Sequence, residues 1–420
     1  MTSATLAQEL ESAKVGMPEL YRDYAPVLHM VEELIGVVPN CDPFLEIWPT
    51  GFKTYNVLVP EMLNLPASLV GQGAPKDLVG LAMYTASRAA GCMYCSAHTC
   101  AFALRRGADA TTIAGDHTPV EAAVAAVAES LGRVPSRLTS DQVSELHKHL
   151  SAEDAEWVVL SIGLMGFLNK FMDAMGIELE GEAIAGVQDI IGPTGWTAGK
   201  HLWDDSFDAD DYSSDNETDS ILRYLRVLRH APGVLRLSSR WTKGVSGRIG
   251  SALMMLEDEV GYGFPILASV KHKRAVKAIA TVLRDNLDSE TTAVGLDTKC
   301  LVAMVFAKVA ENEMLVAEAV QLTSLLAPNI DPATLVEVGE FAVAAPDEAE
   351  LPAGLNGTQS AAVILAKAAS TSPSEVNEIT IGTMAQRLDP AQIVEVVVWL
   401  SVLQMLNRIY SYFDARLGLI

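Results

Sequence analysis

Apolar residues recur every three to four positions along most of this chain, which is the spacing that places them on one side of an α-helix. The pattern predicts helices over residues 77–90, 120–131, 155–175, 299–326 and 391–412. Alternation of apolar and polar residues, which is typical of a half-buried strand, is scarce. The pattern therefore predicts an all-α protein.

One polar interruption separates these helical patterns into two nearly equal halves. It covers residues 203–220 and is rich in aspartate and serine, a composition typical of a solvated linker. A chain of 420 residues is long enough for two or three domains, each with its own core. We therefore expect a first domain over residues 1–200, an acidic linker over 201–220 and a second domain over 221–420.

The two halves contain similar segments in the same order. The first match contains an asparagine followed by a cation in both copies, Asn169–Lys170 and Asn407–Arg408, inside otherwise apolar helices. The matching pairs are 150–171 with 388–409, 107–113 with 329–335, and 78–95 with 301–316. Because three matches share one order, they indicate a tandem duplication of a helical domain.

Composition and charge narrow the possible functions. Half of the residues (50%) are hydrophobic but only 6% are aromatic, which suits closely packed aliphatic helices. The formal net charge of −23 repels nucleic-acid phosphates and anionic membrane surfaces. The chain has neither a signal-like first segment nor a run of eighteen apolar residues. We expect a soluble cytoplasmic protein whose partners include neither nucleic acid nor a membrane.

The cysteines are clustered rather than spread along the chain. There are five, an odd number, and three of them fall within nine residues: Cys92, Cys95 and Cys100, with Cys41 and Cys300 elsewhere. A structural disulfide framework does not have this distribution. Without an export signal, such a cluster indicates catalysis, redox sensing or metal binding.

The segment around the cluster has the spacing of a thiol active site. Gly91 is a plausible break between two helices, which would place Cys92 and Cys95 in the first turn of the second one. Unpaired backbone N–H groups and the helix dipole lower the pKa of a thiol there. Cys92, Cys95 and His98 are three residues apart, so each lies about 60° around the helix from the last, on one face. On that face His98 is positioned as the base that a cysteine nucleophile needs.

Other interpretations of the cluster are less favoured. The two cysteines could be small buried apolar residues. Zinc could take Cys92, Cys95, His98 and Cys100, but one continuous helix cannot wrap four ligands tetrahedrally around an ion. Covalent haem attachment requires a histidine directly after the second cysteine, where this chain has Ser96. We therefore predict neither a metal nor a haem.

The duplicated alignment gives the second half no equivalent of this site. It sets Cys92, Cys95 and His98 opposite Glu313, Val316 and Ala319. We expect the second domain to be degenerate and without catalytic cysteines.

The sequence GCMYCSAHT at 91–99, followed by a small-residue helix and Arg105–Arg106–Gly107, resembles the active-site helix of the alkylhydroperoxidase D and carboxymuconolactone decarboxylase superfamily. The segment FLNKFMDAMG at 167–176 resembles the later helix of its peroxidase-related branch. The resemblance covers residues 42–180 and, more faintly, 232–420.

This resemblance implies an all-helical, oligomerising fold and a redox reaction at the dithiol. Cys95 would attack a peroxide, Cys92 would resolve the product as a disulfide, and His98 would relay the proton. The electrons would come from a dithiol donor such as a lipoyl-bearing or thioredoxin-like protein. No bound organic cofactor is implied.

Two positions depart from the family pattern. The family's histidine stands four residues after the second cysteine, where this chain has Thr99. Its glutamate stands twelve residues before the first cysteine, where this chain has Gly80. Asp77, about one turn earlier, could reach the site only if the helix geometry shifts.

Several further residues are interpreted individually. Tyr94 either gates the substrate or packs, and His117 lies in a loop before a helix whose N-cap is Thr118. Residues 195–201 with Trp203 either close over the first domain's pocket or pack on its surface. The residues expected in the core or at interfaces are Cys41, Cys100, Cys300, Trp241, Trp399, Tyr410 and Tyr412.

These observations predict a thiol-dependent peroxidase or disulfide reductase that acts on hydroperoxides. One alternative is a non-redox lyase or decarboxylase of the same superfamily with His98 as general base. The other is a binding protein that uses the dithiol as a redox sensor. In each case we expect a homo-oligomer such as a dimer.

Overall fold

The computed structural model describes residues 4–204, 208, 211–212, 220–345 and 348–418. Over these ranges the regular structure is helical throughout, which confirms the predicted all-α class. The helices are α1 Leu6–Glu9, α2 Met17–Ile35, α3 Asp42–Leu45, α4 Pro49–Met62, α5 Lys76–Ala89, α6 Met93–Arg105, α7 Ala110–Ile113, α8 Pro119–Gly132, α9 Ser140–His149, α10 Ala152–Met175, α11 Gly181–Ala185, α12 Gln188–Ile191, α13 Ile221–Trp241, α14 Ile249–Val260, α15 Lys273–Asn286, α16 Leu296–Val309, α17 Glu313–Leu326, α18 Pro332–Val343, α19 Gly357–Ser370, α20 Glu378–Ala385 and α21 Pro390–Leu417. Short 3₁₀ turns occur at Ala67–Val70, Gly192–Thr194, Gly199–His201 and Pro265–Ala268.

The two longest helices, α10 and α21, form the centre of the molecule and pack against each other. Glycines allow their backbones to approach closely: a Cβ added at Gly166 would lie 2.8 Å from the Gln404 carbonyl oxygen. By length and composition alone both helices could span a membrane, but their apolar segments are almost entirely buried inside the protein. They are apolar on all sides because other helices surround them.

The segment predicted as one helical run over 299–326 is two helices. The break falls between α16 and α17, where Glu311 has a φ of 51° and the Asn312 side chain accepts hydrogen bonds from the backbone N–H groups of Met314 and Leu315. Asn312 is therefore an N-cap. The apolar period continues in phase across this break, so periodicity alone does not reveal it.

The same order of helices occurs in both halves. The pair α5–α6 precedes α8, α9 and α10, and the pair α16–α17 precedes α19, α20 and α21. Asn312 caps α17 as Cys92 caps α6, so the helix ends put Asn312, Leu315 and Glu318 at the positions of the dithiol and His98. This register differs by one residue from that of the sequence alignment, in which Cys92, Cys95 and His98 stand opposite Glu313, Val316 and Ala319. In either register the second half has no dithiol at this place.

Part of the predicted acidic linker is packed against the first half. His201 is 1% exposed and its Nδ1 lies 2.6 Å from the Ile177 carbonyl oxygen, while Trp203 Nε1 donates to the Gly176 carbonyl at 3.1 Å. The segment up to Trp203 therefore belongs to the first half's packed structure. Residues 205–207, 209–210 and 213–219, where a solvated linker is predicted, lie outside the described residues.

Candidate active site

The dithiol stands at the beginning of α6. Gly91, with a φ of 70°, turns the chain out of α5, and Cys92 is the N-cap of the following helix. The Cys92 sulfur accepts a hydrogen bond from the backbone N–H of Cys95 at 3.3 Å, so the second cysteine lies in the helix's first turn. The predicted break at Gly91 is confirmed.

Cys95 and His98 line one apolar cavity of about 100 Å³. Its walls come from α2, α4, α5, α6 and α10, and they are mostly aliphatic and aromatic side chains such as Leu34, Phe102 and Met165. No Lys, Arg, Asp or Glu lines it among the described residues. A thiol and an imidazole thus line the same apolar cavity.

A buried carboxylate orients the histidine. His98 Nε2 lies 2.7 Å from Glu180 Oε2, and the Tyr94 hydroxyl donates to Glu180 Oε1 at 2.7 Å. The backbone N–H of Asn40 also donates to Oε1, at 2.5 Å. Burial alone would raise the pKa of Glu180, but the charge of His98 and these hydrogen bonds outweigh it and hold that pKa below its ordinary value. Glu180 is therefore an ionised carboxylate facing His98.

Sequence reasoning missed Glu180, which follows α10 and lies far from the cysteines along the chain. The position at which the superfamily that the sequence resembles has a glutamate cannot hold a side chain here, because a Cβ added at Gly80 would lie 2.6 Å from the Ala103 Cα. Asp77 is in the first turn of α5, at the end opposite the dithiol, so it does not replace that glutamate. The histidine thus has a carboxylate partner from another element, and no local sequence signal could have identified it.

The expected lowering of the thiol pKa is wrong for Cys95. Burial raises the pKa of Cys95 well above its ordinary value, and the hydrogen bond and charge of Cys92 raise it further. Cys95 is 4% exposed, so the loss of water outweighs the field at the helix N-terminus. A nucleophilic thiolate here requires a base or a nearby cation.

Hydrogen bonds hold the side chains that surround the dithiol in place. Tyr94 is 2% exposed and hydrogen-bonded to Glu180, so in this conformation it is a packed residue of the site. The Thr99 hydroxyl donates to the Cys95 carbonyl at 2.6 Å, so its proton is engaged by the helix backbone and not by a proton relay. Trp196 Nε1 donates to the Met93 carbonyl at 3.2 Å, so the segment 195–201 packs on the first turn of α6.

Most of the remaining predicted core residues are buried, whereas Trp241 is only partly buried against the core. Burial raises the pKa of Cys100 and of Cys300 to about 12. Cys41 is also buried, but it lies near enough to interact electrostatically with Cys95, which its sequence position did not indicate. Thr118 is the N-cap of α8, as predicted. The described residues contain no group of three or more His, Cys, Asp or Glu side chains placed to hold a metal ion.

The corresponding place in the second half is filled by tyrosines. Glu318 accepts hydrogen bonds from the hydroxyl groups of Tyr410 and Tyr262. Burial raises the pKa of Glu318 to about 7. The carboxyl of Glu318 is thus engaged by two phenols, and Asn312, Leu315 and Glu318 supply neither a thiol nor an imidazole at this place.

Comparisons with known proteins give little further information. No model of a protein family matches the chain, and no curated protein matches it. Among solved structures, the debrominase Bmp8 in complex with 2,3,4-tribromopyrrole is similar to it, with 23% identity and a TM-score of 0.38. That match covers 42% of this chain and 95% of the other chain.

Proposed function

We propose that this chain is a thiol-dependent peroxidase that reduces a small organic hydroperoxide. The observation that carries the proposal is the shared cavity, in which Cys95 and His98 meet while the Cys92 sulfur touches the Cys95 backbone. The resemblance of residues 91–107 to the active-site helix of the alkylhydroperoxidase D superfamily supports the same chemistry. The proposal also includes a tandem duplication of the two halves, a cytoplasmic location and assembly as a homodimer.

In the first step, His98 accepts the proton of the Cys95 thiol, and Glu180 stabilises the imidazolium that results. The thiolate attacks the terminal oxygen of the hydroperoxide, and the O–O bond breaks. The departing alkoxide takes the proton from His98 and leaves as an alcohol. Cys95 is then a sulfenic acid.

In the second step, the Cys92 thiol attacks the sulfenic sulfur of Cys95. A disulfide forms and water leaves, so two thiols and one hydroperoxide yield one disulfide, one alcohol and one water. The hydrogen bond from the Cys95 backbone to the Cys92 sulfur supports this pairing, because it holds the resolving sulfur beside the first turn of α6. An external dithiol, such as a lipoyl-bearing or thioredoxin-like protein, restores the reduced state.

The cavity restricts the substrate. Its walls are apolar and carry no Lys or Arg among the described residues, so a carboxylate or phosphate on the substrate would lose its water without gaining a partner. Its volume of about 100 Å³ suits a compact molecule. We therefore expect an uncharged alkyl or aryl hydroperoxide to react faster than a fatty-acid hydroperoxide.

The test uses the reduced protein and cumene hydroperoxide, followed by turnover with dithiothreitol or dihydrolipoamide. We expect Cys95→Ser to abolish turnover and Cys92→Ser to accumulate a sulfenic acid that dimedone traps. Cys100→Ser is the matched control, because Cys100 is buried on the same helix but does not line the cavity.

Other outcomes would support the alternatives. Full turnover of a lactone or carboxylate substrate by Cys95→Ser would favour a non-redox lyase with His98 as general base. A disulfide that forms stoichiometrically without useful turnover would favour a redox sensor.

A further inference from the structure

Two buried cationic side chains on the central helices each reach from one half of the chain to a carbonyl of the other. Lys170 of α10 donates from Nζ to the Ser370 carbonyl at 3.0 Å, at the end of α19 in the second half. Arg408 of α21 donates to the Gly132 carbonyl at 3.3 Å, at the end of α8 in the first half, and to the Ile162 carbonyl at 3.0 Å. Each cation therefore caps a helix C-terminus in the opposite half.

The end of α8 lies beside the turn that carries the dithiol. A Cβ added at Gly132 would lie 2.7 Å from the Ala86 carbonyl oxygen, in the last turn of α5. Gly91 and Cys92 follow directly after that helix. The guanidinium of Arg408, held at Gly132, thus lies beside the last turn of the helix that leads into the dithiol, although it comes from the last helix of the chain.

Arg408 has no counter-charge among the described residues. Its side chain is fully buried, its Nε has no hydrogen-bond partner there, and its Nη1 and Nη2 donate to neutral carbonyls. Burial lowers the pKa of Arg408 to about 9, and interactions with Cys95 and then Cys92 oppose that fall. A buried cation without a carboxylate is costly, and an anion nearby would repay that cost.

We propose that Arg408, supplied by the second half, is the positive charge that stabilises the thiolate form of the Cys92–Cys95 pair. This inference rests on the thiol chemistry of the proposed function. It makes Arg408 a positioning residue that acts on the dithiol through its charge, and it gives the second half a part in the active site.

A second contact from the same half supports this role. Pro373 lies against Gly91, where an added Cβ would be 2.9 Å from the Pro373 Cδ. The backbone N–H of Ser374 donates to Asp173 Oδ2 at 2.6 Å. The loop after α19 therefore holds the turn before Cys92.

The other charged groups near the dithiol each have an oppositely charged neighbour. Lys170 donates to the carbonyls at the end of α19, and it interacts electrostatically with Asp173 and also with Cys92. Asp173 in turn pairs with Lys200 at 2.9 Å. On α6 and beyond α10, His98 and Glu180 pair with each other. Cys41, which also interacts with Cys95, carries a thiol and therefore no positive charge. Arg408 is the cation whose charge these contacts leave uncompensated.

The test is a pH titration of thiolate absorbance in the reduced full-length protein, with the Cys92→Ser/Cys95→Ser variant as the blank. Arg408→Gln removes the charge but keeps N–H donors for the Gly132 and Ile162 carbonyls. We expect its thiolate titration to move upward by about one pH unit or more, a tenfold loss of thiolate at a fixed pH. Arg408→Lys keeps the charge, so most of the thiolate should return.

Lys367→Gln is the matched control. Lys367 also caps a helix end in the second half, donating to the Phe341 and Ala344 carbonyls at 2.8 and 2.7 Å after α18. Its loss should leave the thiolate titration in place.

An unchanged titration in folded Arg408→Gln would overturn the inference, as would an Arg408→Lys titration displaced as far as that of Arg408→Gln. If the Gln variant does not fold, Arg408→Met is compared with Arg408→Lys in the same way. No hydroperoxide enters this experiment. A shifted titration in a protein that reduces no hydroperoxide would therefore defeat the proposed function and leave this inference standing, and the reverse result would do the opposite.

Discussion

At the scale of single residues, Glu180 is the group on which the candidate site converges. It accepts hydrogen bonds from Tyr94 on α6 and from the backbone of Asn40 before α3, and it faces His98. An imidazole held by a carboxylate keeps one orientation and tolerates a positive charge while it carries a proton. Glu180 itself does not line the cavity, although Tyr94 and His98, which it contacts, do.

Glu180→Gln should slow hydroperoxide reduction on the order of 10²-fold, because the imidazolium of His98 loses its counter-charge. KM should change little, since Glu180 does not line the cavity. Steady-state kinetics measure both. Glu182→Gln, an exposed neighbour, is the control, and equal rates in the two variants would contradict a relay through Glu180.

The lowered pKa of Glu180 also gives stability a pH dependence. A carboxylate whose pKa falls on folding stabilises the protein above its unfolded pKa and loses that contribution as pH falls through the folded one. The difference in unfolding free energy between wild type and Glu180→Gln should be greatest near about pH 7 and shrink below about pH 4. Denaturant titrations at several pH values measure it, and a difference that grows on acidification would exclude an ionised Glu180.

At the scale of helices, the close contact between α5 and α6 explains why position 80 is a glycine. Gly80 lies directly against Ala103, so these helices meet at backbone distance. This contact sets the separation of the two helices that the turn at Gly91 connects. Introducing a glutamate at position 80 would separate the helices rather than supply a relay.

Gly80→Ala should destabilise the protein by about 1–3 kcal/mol, because the added methyl group overlaps the Ala103 backbone. Chemical denaturation followed by circular dichroism gives the value. Gly250→Ala on α14 has no atom within 4 Å and a helical backbone, so it should remain within about 1 kcal/mol of wild type. Similar losses in both variants would mean that helix propensity, not this contact, is responsible.

The sequence predicted the helices better than it predicted how they meet. Apolar period is a local property, so the fold class and most helices follow from it, and so does the shared face of Cys95 and His98. The partnership of His98 with Glu180 depends on the path of the chain through α7 to α10, which no spacing rule encodes. The raised pKa of Cys95 likewise depends on cavity walls contributed by other helices.

At the scale of the whole molecule, the halves exchange contacts through their central helices. Lys170 caps α19 and Arg408 caps α8, so each half completes a helix of the other. The apolar sides of α10 and α21 are buried against each other and against the helices that surround them. Neither half has a separate core that would remain covered without the other.

The full chain should therefore unfold in one cooperative transition rather than two. Differential scanning calorimetry should give a calorimetric enthalpy equal to the van't Hoff enthalpy. Repeating the scan at several heating rates controls for irreversible unfolding. Two resolved transitions would show that the halves are energetically independent.

The close packing of α10 on α21 within one chain also determines how the site responds to dilution. When such helices belong to separate molecules, their contact follows mass action and is lost as the concentration falls. A covalent connection replaces that dependence with a fixed effective concentration of one helix at the surface of the other. The dithiol, with Pro373 against its turn and Arg408 beside it, thus stays assembled even when only a few copies of the protein are present.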